Sequence, residues 1–288
     1  MKVFVVGSRG QLGQSLAETA PVTVEFAGAG LPELDILDTP ALQARLAAER
    51  PDFVVNAAAY SAVDKAESEP DIAQRVNVDG ARNVAEAARE AGARVIYIST
   101  DFVFDGGKGE PYRPGDAAAP LSVYGATKLD GEAAVREATD GDAIVIRTAW
   151  LYSRFGHNFV KTMLRLMGER DELSVVADQR GTPTWAASLA EVIWAMIDQD
   201  LPGGMYHWTD GGEASWFEFA EAIYKEAHGS GLLDRDVAIR AIPTEEYPTP
   251  ARRPAYSVLD CSATVDALGL EQIHWASRLQ EMLAEMRD

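Results

Sequence analysis

The first thirteen residues constrain this chain more than any other stretch. From Lys2 to Val6 an apolar run reads as a buried strand; Gly7, Gly10 and Gly13 follow at three-residue intervals, and Leu16, Ala17 and Ala20 then recur with helical spacing. A strand passing through a glycine-rich turn into a helix opens an α/β unit. Glycine there lets the backbone approach a pyrophosphate, and the N–H groups at the helix start favour its charge. The spacing is GxxGxxG rather than GxGxxG, so position more than pattern points to a dinucleotide.

The alternation continues. Val22 to Ala27 reads as a second strand, Thr39-Pro40 as the cap of a helix running to Glu49, and Phe53 to Asn56 as a third strand. A long helix is predicted from Asp71 to Ala91, ending at Gly92, followed by a strand from Arg94 to Ser99, a helix around Lys128 and a strand from Ile144 to Arg147. This order predicts an α/β fold, a Rossmann-like doubly wound parallel sheet, with residues 1–150 as the dinucleotide-binding domain. Beyond Trp150 the order loosens. A helix from Asn158 to Arg170, a strand from Leu173 to Val176, a helix from Ala187 to Gln199, a Trp/Tyr-rich stretch from Tyr206 to Trp216, a four-proline loop from Pro243 to Pro254 and a closing helix follow. Residues 151–288 are expected to form a smaller C-terminal substrate-binding lobe, with some segments returning to the first domain.

Tyr124 and Lys128 lie four apart on the helix after Pro120, so both project from one face. An ammonium beside a phenol favours phenolate, which predicts a lowered tyrosine pKa and a proton donor and acceptor near neutral pH. Thr100 follows the Arg94 to Ser99 strand at the carboxyl edge of the sheet, where open α/β folds bind ligands and a hydroxyl can hold a substrate oxygen.

With these motifs the chain resembles the extended short-chain dehydrogenase/reductases, and within them the dTDP-4-dehydrorhamnose reductases. The resemblance rests on Gly10-Gln11-Leu12-Gly13, Asn56-Ala57-Ala58-Ala59-Tyr60, Val63-Asp64-Lys65-Ala66-Glu67 and Ser99-Thr100-Asp101-Phe102-Val103-Phe104-Asp105-Gly106. It continues in Arg147-Thr148-Ala149-Trp150-Leu151-Tyr152, Asn158-Phe159, Asp178 to Thr184, and Pro250-Ala251-Arg252-Arg253-Pro254, so it spans nearly the whole sequence. It implies reduction of the C4 ketone of dTDP-4-dehydro-L-rhamnose by NADPH or NADH. Tyr124 would protonate the sugar oxygen, Lys128 hold the nicotinamide ribose and Thr100 orient the carbonyl. Gly7, Gly10, Gln11 and Leu12 would meet the pyrophosphate, Asp35 and Ile36 the adenine, and Ala59, Tyr60 and Ser61 the middle of the cofactor. Asp101 and Trp150 would contact the hexose. Another nucleotide-sugar epimerase or reductase, and a non-catalytic dinucleotide-binding regulatory subunit, are the alternatives; the intact Thr100, Tyr124 and Lys128 argue against the second.

Arginines 252 and 253 in a proline-fixed loop suit either a substrate diphosphate, with Arg253 the candidate, or pairing with surface acids. No acid or arginine that would choose between NAD and NADP is evident after Phe26-Ala27-Gly28. His157, His207, His228 and His274 show no metal-ligand spacing, so no metal site is expected; His207 reads as packed, and Trp216, Phe217 and Phe219 as core.

Charge narrows the partners. Against 45 acidic residues stand 26 basic ones, 6 lysine and 20 arginine, for a net −19. Such a surface repels nucleic acid and anionic membrane; the nucleotide-sugar substrate is what the resemblance implies, and a homodimer is left open. The arginine bias fits a high-salt cytoplasm or a GC-rich genome equally. A chain of 288 residues can bury roughly 75% of its extended surface unaided, and the single cysteine, Cys261, forms no internal disulfide. With no apolar run near the roughly 20 residues of a membrane span, a cytoplasmic location is expected.

Overall fold

Along the first strand Val3 and Val5 face one core while Phe4 and Val6 face another, and all four are fully buried. A strand apolar on both sides can only lie inside a sheet covered on both faces. The computed structural model describes residues 1–287. In chain order its first half comprises β1 (Lys2–Val6), α1 (Gln11–Glu18), β2 (Glu25–Ala29), α2 (Thr39–Glu49), β3 (Phe53–Asn56), α3 (Val63–Ala66), α4 (Pro70–Gln74), a π-helical turn (Arg75–Gly80), α5 (Ala81–Glu90), β4 (Arg94–Thr100), α6 (Val123–Ala138) and β5 (Ile144–Thr148). There follow β6 (Leu151–Tyr152), α7 (Phe159–Glu169), β7 (Glu172–Val176), β8 (Arg180–Gly181), β9 (Thr184–Trp185), α8 (Ala186–Asp198), β10 (Gly204–His207), β11 (Ala214–Ser215), α9 (Trp216–Ser230), β12 (Ala238–Ile242), α10 (Ser262–Leu268) and α11 (Trp275–Glu285).

Six parallel strands form the main sheet in the order β10-β5-β4-β3-β1-β2. The order reverses between β1 and β3, and a doubly wound sheet opens a crevice at the carboxyl ends of the strands at such a point. One face is packed by Leu42 and Leu46 of α2, Val84 and Ala88 of α5 and Val135 of α6. The other is packed by Leu12 and Leu16 of α1 and by Leu189, Ile193 and Ile197 of α8. Two elements from beyond residue 150 therefore complete this sheet: β10 extends it at the β5 edge, and α8 lies against α1, with Trp194 Nε1 donating to Thr19 Oγ1 at 3.1 Å. The other late elements gather round a second core that includes Met163, Leu173, Phe219, Ile223 and Leu279.

Three local readings are corrected. The second strand begins at Glu25 rather than Val22, because a turn closed by Val24 N–H on the Pro21 carbonyl (2.9 Å) leaves Val22 fully exposed and pairing with β1 starts at Glu25. The cap of α2 is Asp38, whose Oδ1 accepts from Ala41 N–H at 3.1 Å; Thr39 and Pro40 are already helical. The helix expected from Asp71 to Ala91 is interrupted by the π-helical turn, whose looser winding admits an extra residue without altering the apolar spacing on either side.

Candidate active site

A cleft of about 880 Å³ opens at the carboxyl ends of the strands, lined by Gly7 after β1, Gly30 after β2, Ala57 to Ala59 after β3, Thr100 of β4 and Thr148 of β5. Gly7 sits at φ +82°, and a Cβ there would lie 2.7 Å from the Ala58 backbone nitrogen, so only glycine lets the two loops meet. The start of α1 has no side-chain cap: Gly10 occupies the capping position and leaves the first N–H groups facing the cleft end. That combination suits a pyrophosphate. Asn56 Oδ1 accepts from Ala58 N–H and so fixes the loop after β3. Gln11, Leu12, Asp35, Ile36, Ala59 and Ser61 also line this part of the cleft. Tyr60 does not: its hydroxyl donates to Glu69 at 2.7 Å, and its backbone N–H donates to Asn77 of the π-helical turn at 2.8 Å.

Further along, Thr100, Asp101, Tyr124 and Lys128 come together. Ser122 caps α6 by accepting from Gly125 N–H, which starts the helix so that Tyr124 and Lys128 share its sheet-facing side. Thr100 ends β4 in register with Thr148 of β5 and donates to Asp101 at 3.0 Å. The other Asp101 oxygen is buried without a partner, and burial lifts this carboxyl to about 6. Lys128 is fully enclosed; its ammonium donates to Tyr97 Oη at 2.8 Å and to the Ile98 carbonyl at 2.7 Å. Burial brings it down to about 7, against the pull of Glu132 one turn later. Glu132 accepts from the Ser99 hydroxyl at 2.5 Å and forms a two-pronged pair with Arg147 at 2.8 and 2.7 Å, so these two buried charges satisfy each other.

The expected lowering of the Tyr124 pKa is corrected. Desolvation pushes the phenol up to about 12, helped by Asp101 and opposed by the Thr100 hydroxyl. The lysine that was to lower it donates to Tyr97 and Ile98 instead.

Trp150 stands at the far wall, in the left-handed region at φ +45°, with its indole stacked on Trp216 at 3.5 Å between centroids and 5° between planes. Phe159 tilts against Trp216 at 4.7 Å, and all three rings line the cleft. Trp216, the first residue of α9, is half-buried and serves as wall as well as core, since it packs against the second core together with Phe217 while lining the cleft, whereas Phe219 one turn later is fully buried as expected. An aromatic at a helix start carries no sequence mark of which side it will face. Arg253 reaches the cleft rim but is held by Asp64, with contacts of 3.0 and 2.8 Å, so of the two expected uses the structure displays the acid pair. His207 is packed, its Nδ1 against the Tyr112 carbonyl at 3.0 Å, and burial drops it to about 3. Among the described residues no helix is long and apolar enough to cross a membrane.

The comparisons agree with this geometry over the full length. Residues 1–288 match the family described as RmlD substrate binding domain. A dTDP-4-dehydrorhamnose reductase of Sinorhizobium fredii is 41% identical, covering 98% of this chain and 97% of that protein. The Escherichia coli K12 enzyme of the same name is 38% identical over 99% and 98%. Among solved structures, a dTDP-4-dehydrorhamnose reductase from Clostridium acetobutylicum superposes with a TM-score of 0.93 at 38% identity, covering both chains completely. One from Bacillus anthracis in complex with NADP gives 0.92 at 39%, covering 99% of each. The switch-point cleft, the Thr100/Tyr124/Lys128 group at its floor and these full-length matches place the chain in the dTDP-4-dehydrorhamnose reductase family.

Proposed function

We propose that this chain reduces the C4 ketone of dTDP-4-dehydro-L-rhamnose to dTDP-L-rhamnose, using NADPH or NADH. The observation that carries the reading is one continuous cleft, with an uncapped helix start and glycine turn at one end and Thr100, Tyr124 and Lys128 at its floor. The names of the relatives and the NADP held by the Bacillus anthracis structure point the same way. When bound, the nicotinamide supplies the hydride. Gly7, Gly10, Gln11 and Leu12 would hold the pyrophosphate, Asp35 and Ile36 the adenine, Ala59 and Ser61 the middle, and Lys128 the ribose.

The protein's own part is proton placement. With its phenol pushed up to about 12, Tyr124 is fully protonated at neutral pH and can donate to the oxygen developing at C4. Thr100 orients that oxygen, while Asp101 and Trp150 hold the hexose. Arg253 could bind the substrate diphosphate only by sharing or leaving Asp64, so substrate capture there includes breaking a pair at the rim.

The test is loss of NADPH absorbance with dTDP-4-dehydrorhamnose set against other nucleotide-linked 4-keto sugars. Turnover of another sugar but not this one would overturn the assignment. NADPH and NADH should bind within about tenfold of each other, roughly 1.4 kcal/mol, because the one arginine lining the adenine end, Arg9, is exposed and faces Glu33 at 3.6 Å.

A further inference from the structure

The fully buried Tyr97 touches neither the glycine turn nor the cleft, yet it meets the side chain on which the proposed chemistry depends. Its hydroxyl accepts from Lys128 Nζ at 2.8 Å and makes a long bond, 3.4 Å, to the Asn77 carbonyl in the π-helical turn. The ammonium lies 4.1 Å from the Tyr97 ring centroid. Space for this arrangement is made by Gly131: a Cβ there would stand 2.5 Å from Tyr97 Oη and 2.3 Å from the Asn77 carbonyl. Strand β4, helix α6 and the π-helical turn thus converge on one phenol oxygen.

We propose that Tyr97 is a positioning residue for Lys128, fixing the lysine at the cleft floor and supplying a neutral acceptor that keeps its buried ammonium charged. An ammonium has three donors. Tyr97 Oη and the Ile98 carbonyl take two, which leaves one to point at a ligand hydroxyl. Glu132 on its own helix favours the ammonium, and Arg147 of β5 is committed to Glu132; Tyr124 and Asp101 lie towards the cleft. Tyr97 itself is held neutral, its pKa driven far up by burial and by Glu132 and Tyr124, so it acts as an acceptor and not as a counter-ion.

The inference rests on the reading that Lys128 meets the cofactor, and its test separates the two. The chain has only six lysines, so NMR of lysine labelled at Cε can follow each through a pH titration without any cofactor present. The Lys128 signal, identified by its loss in Lys128→Met, should titrate near neutral pH in the wild type. In Tyr97→Phe it should move to more acid pH by roughly one unit, the worth of one hydrogen bond to a charged group. Tyr97→His, which keeps a ring nitrogen able to accept, should lie between the two, and it serves as the test variant if the Phe protein does not fold. NADPH affinity at about pH 8 should fall roughly tenfold in Tyr97→Phe and only about twofold at about pH 6, where roughly half of the variant still carries the ammonium. A Lys128 titration unmoved in these variants, with only the melting temperature lowered, would overturn the proposal and leave Tyr97 a packing residue. A shifted titration with unchanged NADPH affinity would support the hold of Tyr97 on Lys128 while removing Lys128 from the cofactor site.

Discussion

Tyr124 is the residue on which the proposed reaction turns, and its phenol differs from a phenyl ring by one atom. Tyr124→Phe should keep the edge-on contact with Phe102 at 5.6 Å and leave ligand binding largely intact, while kcat drops by about 10² to 10⁴, the usual contribution of general acid catalysis. Steady-state kinetics check this, and a kcat within about threefold of wild type, under 1 kcal/mol of barrier, would remove Tyr124 as the acid. Trp216→Ala should act differently. Losing one ring of the stacked pair leaves Trp150 unsupported in its left-handed backbone conformation, so KM for the nucleotide sugar should rise about tenfold with kcat less affected, and Trp216→Phe should recover part of it. The two tryptophans also show what sequence conveys at this scale. Trp150 follows the end of a readable strand and could be carried over from a family motif; Trp216 sits at a helix start, where the side it faces is decided by how α9 docks. Tyr97 escaped for a related reason: within an apolar strand it is indistinguishable from a core aromatic until its hydroxyl has a partner.

At the scale of elements, strands were legible where both faces are buried, since β1, β3, β4 and β5 are near-continuous apolar runs. Edge strand β2, polar at its start, was shifted by three residues at its N-terminal end, and the π-helical turn gave no signal because residues on both sides keep helical spacing. The cap of α8 was equally hidden. Asp210, 25 residues beyond Trp185, accepts from Trp185 N–H at 2.8 Å and from the Ser188 hydroxyl at 2.5 Å, so a helix start is tied by a distant carboxylate. Burial raises that carboxyl from 3.8 to about 7. Below about pH 4 both folded and unfolded chains carry the proton; between about 4 and 7 only the folded chain does, so this group's contribution to stability is lost as pH rises through that window. The melting-temperature difference between wild type and Asp210→Asn should therefore shift against the wild type from about pH 4 to 7 and level off above. A difference independent of pH would mean that Asp210 is already ionised throughout.

For the molecule as a whole, the excess of 19 negative charges sets a self-repulsion that local pairs such as Lys2 with Glu25 and Glu49 only partly offset. Screening reaches about 10 Å at 0.1 M salt and about 3 Å at 1 M, so the melting temperature should rise with added KCl. A melting temperature indifferent to salt from low to molar concentration would assign the arginine-rich, acid-rich composition to codon usage alone. The doubly wound parallel sheet was legible from the alternation of strands and helices; the point at which the strand order reverses was not. That β10 and α8, rather than other late segments, complete the sheet was not legible, since their apolar residues fit either core.

That completion has a consequence during synthesis. When residue 150 has been made, the face of the sheet bearing Val3, Val5, Val55, Ile96 and Ile146 still lacks α8. Helix α1 packs part of it, but α8 is complete only at Asp198, 48 residues later, and β10 at His207, 57 residues later, which at about 5 to 20 residues per second is roughly 2 to 12 s on a translating ribosome. Throughout that interval the nascent chain presents a strip of valine and isoleucine together with an unpaired β5 edge, the combination that invites chaperones or neighbouring chains.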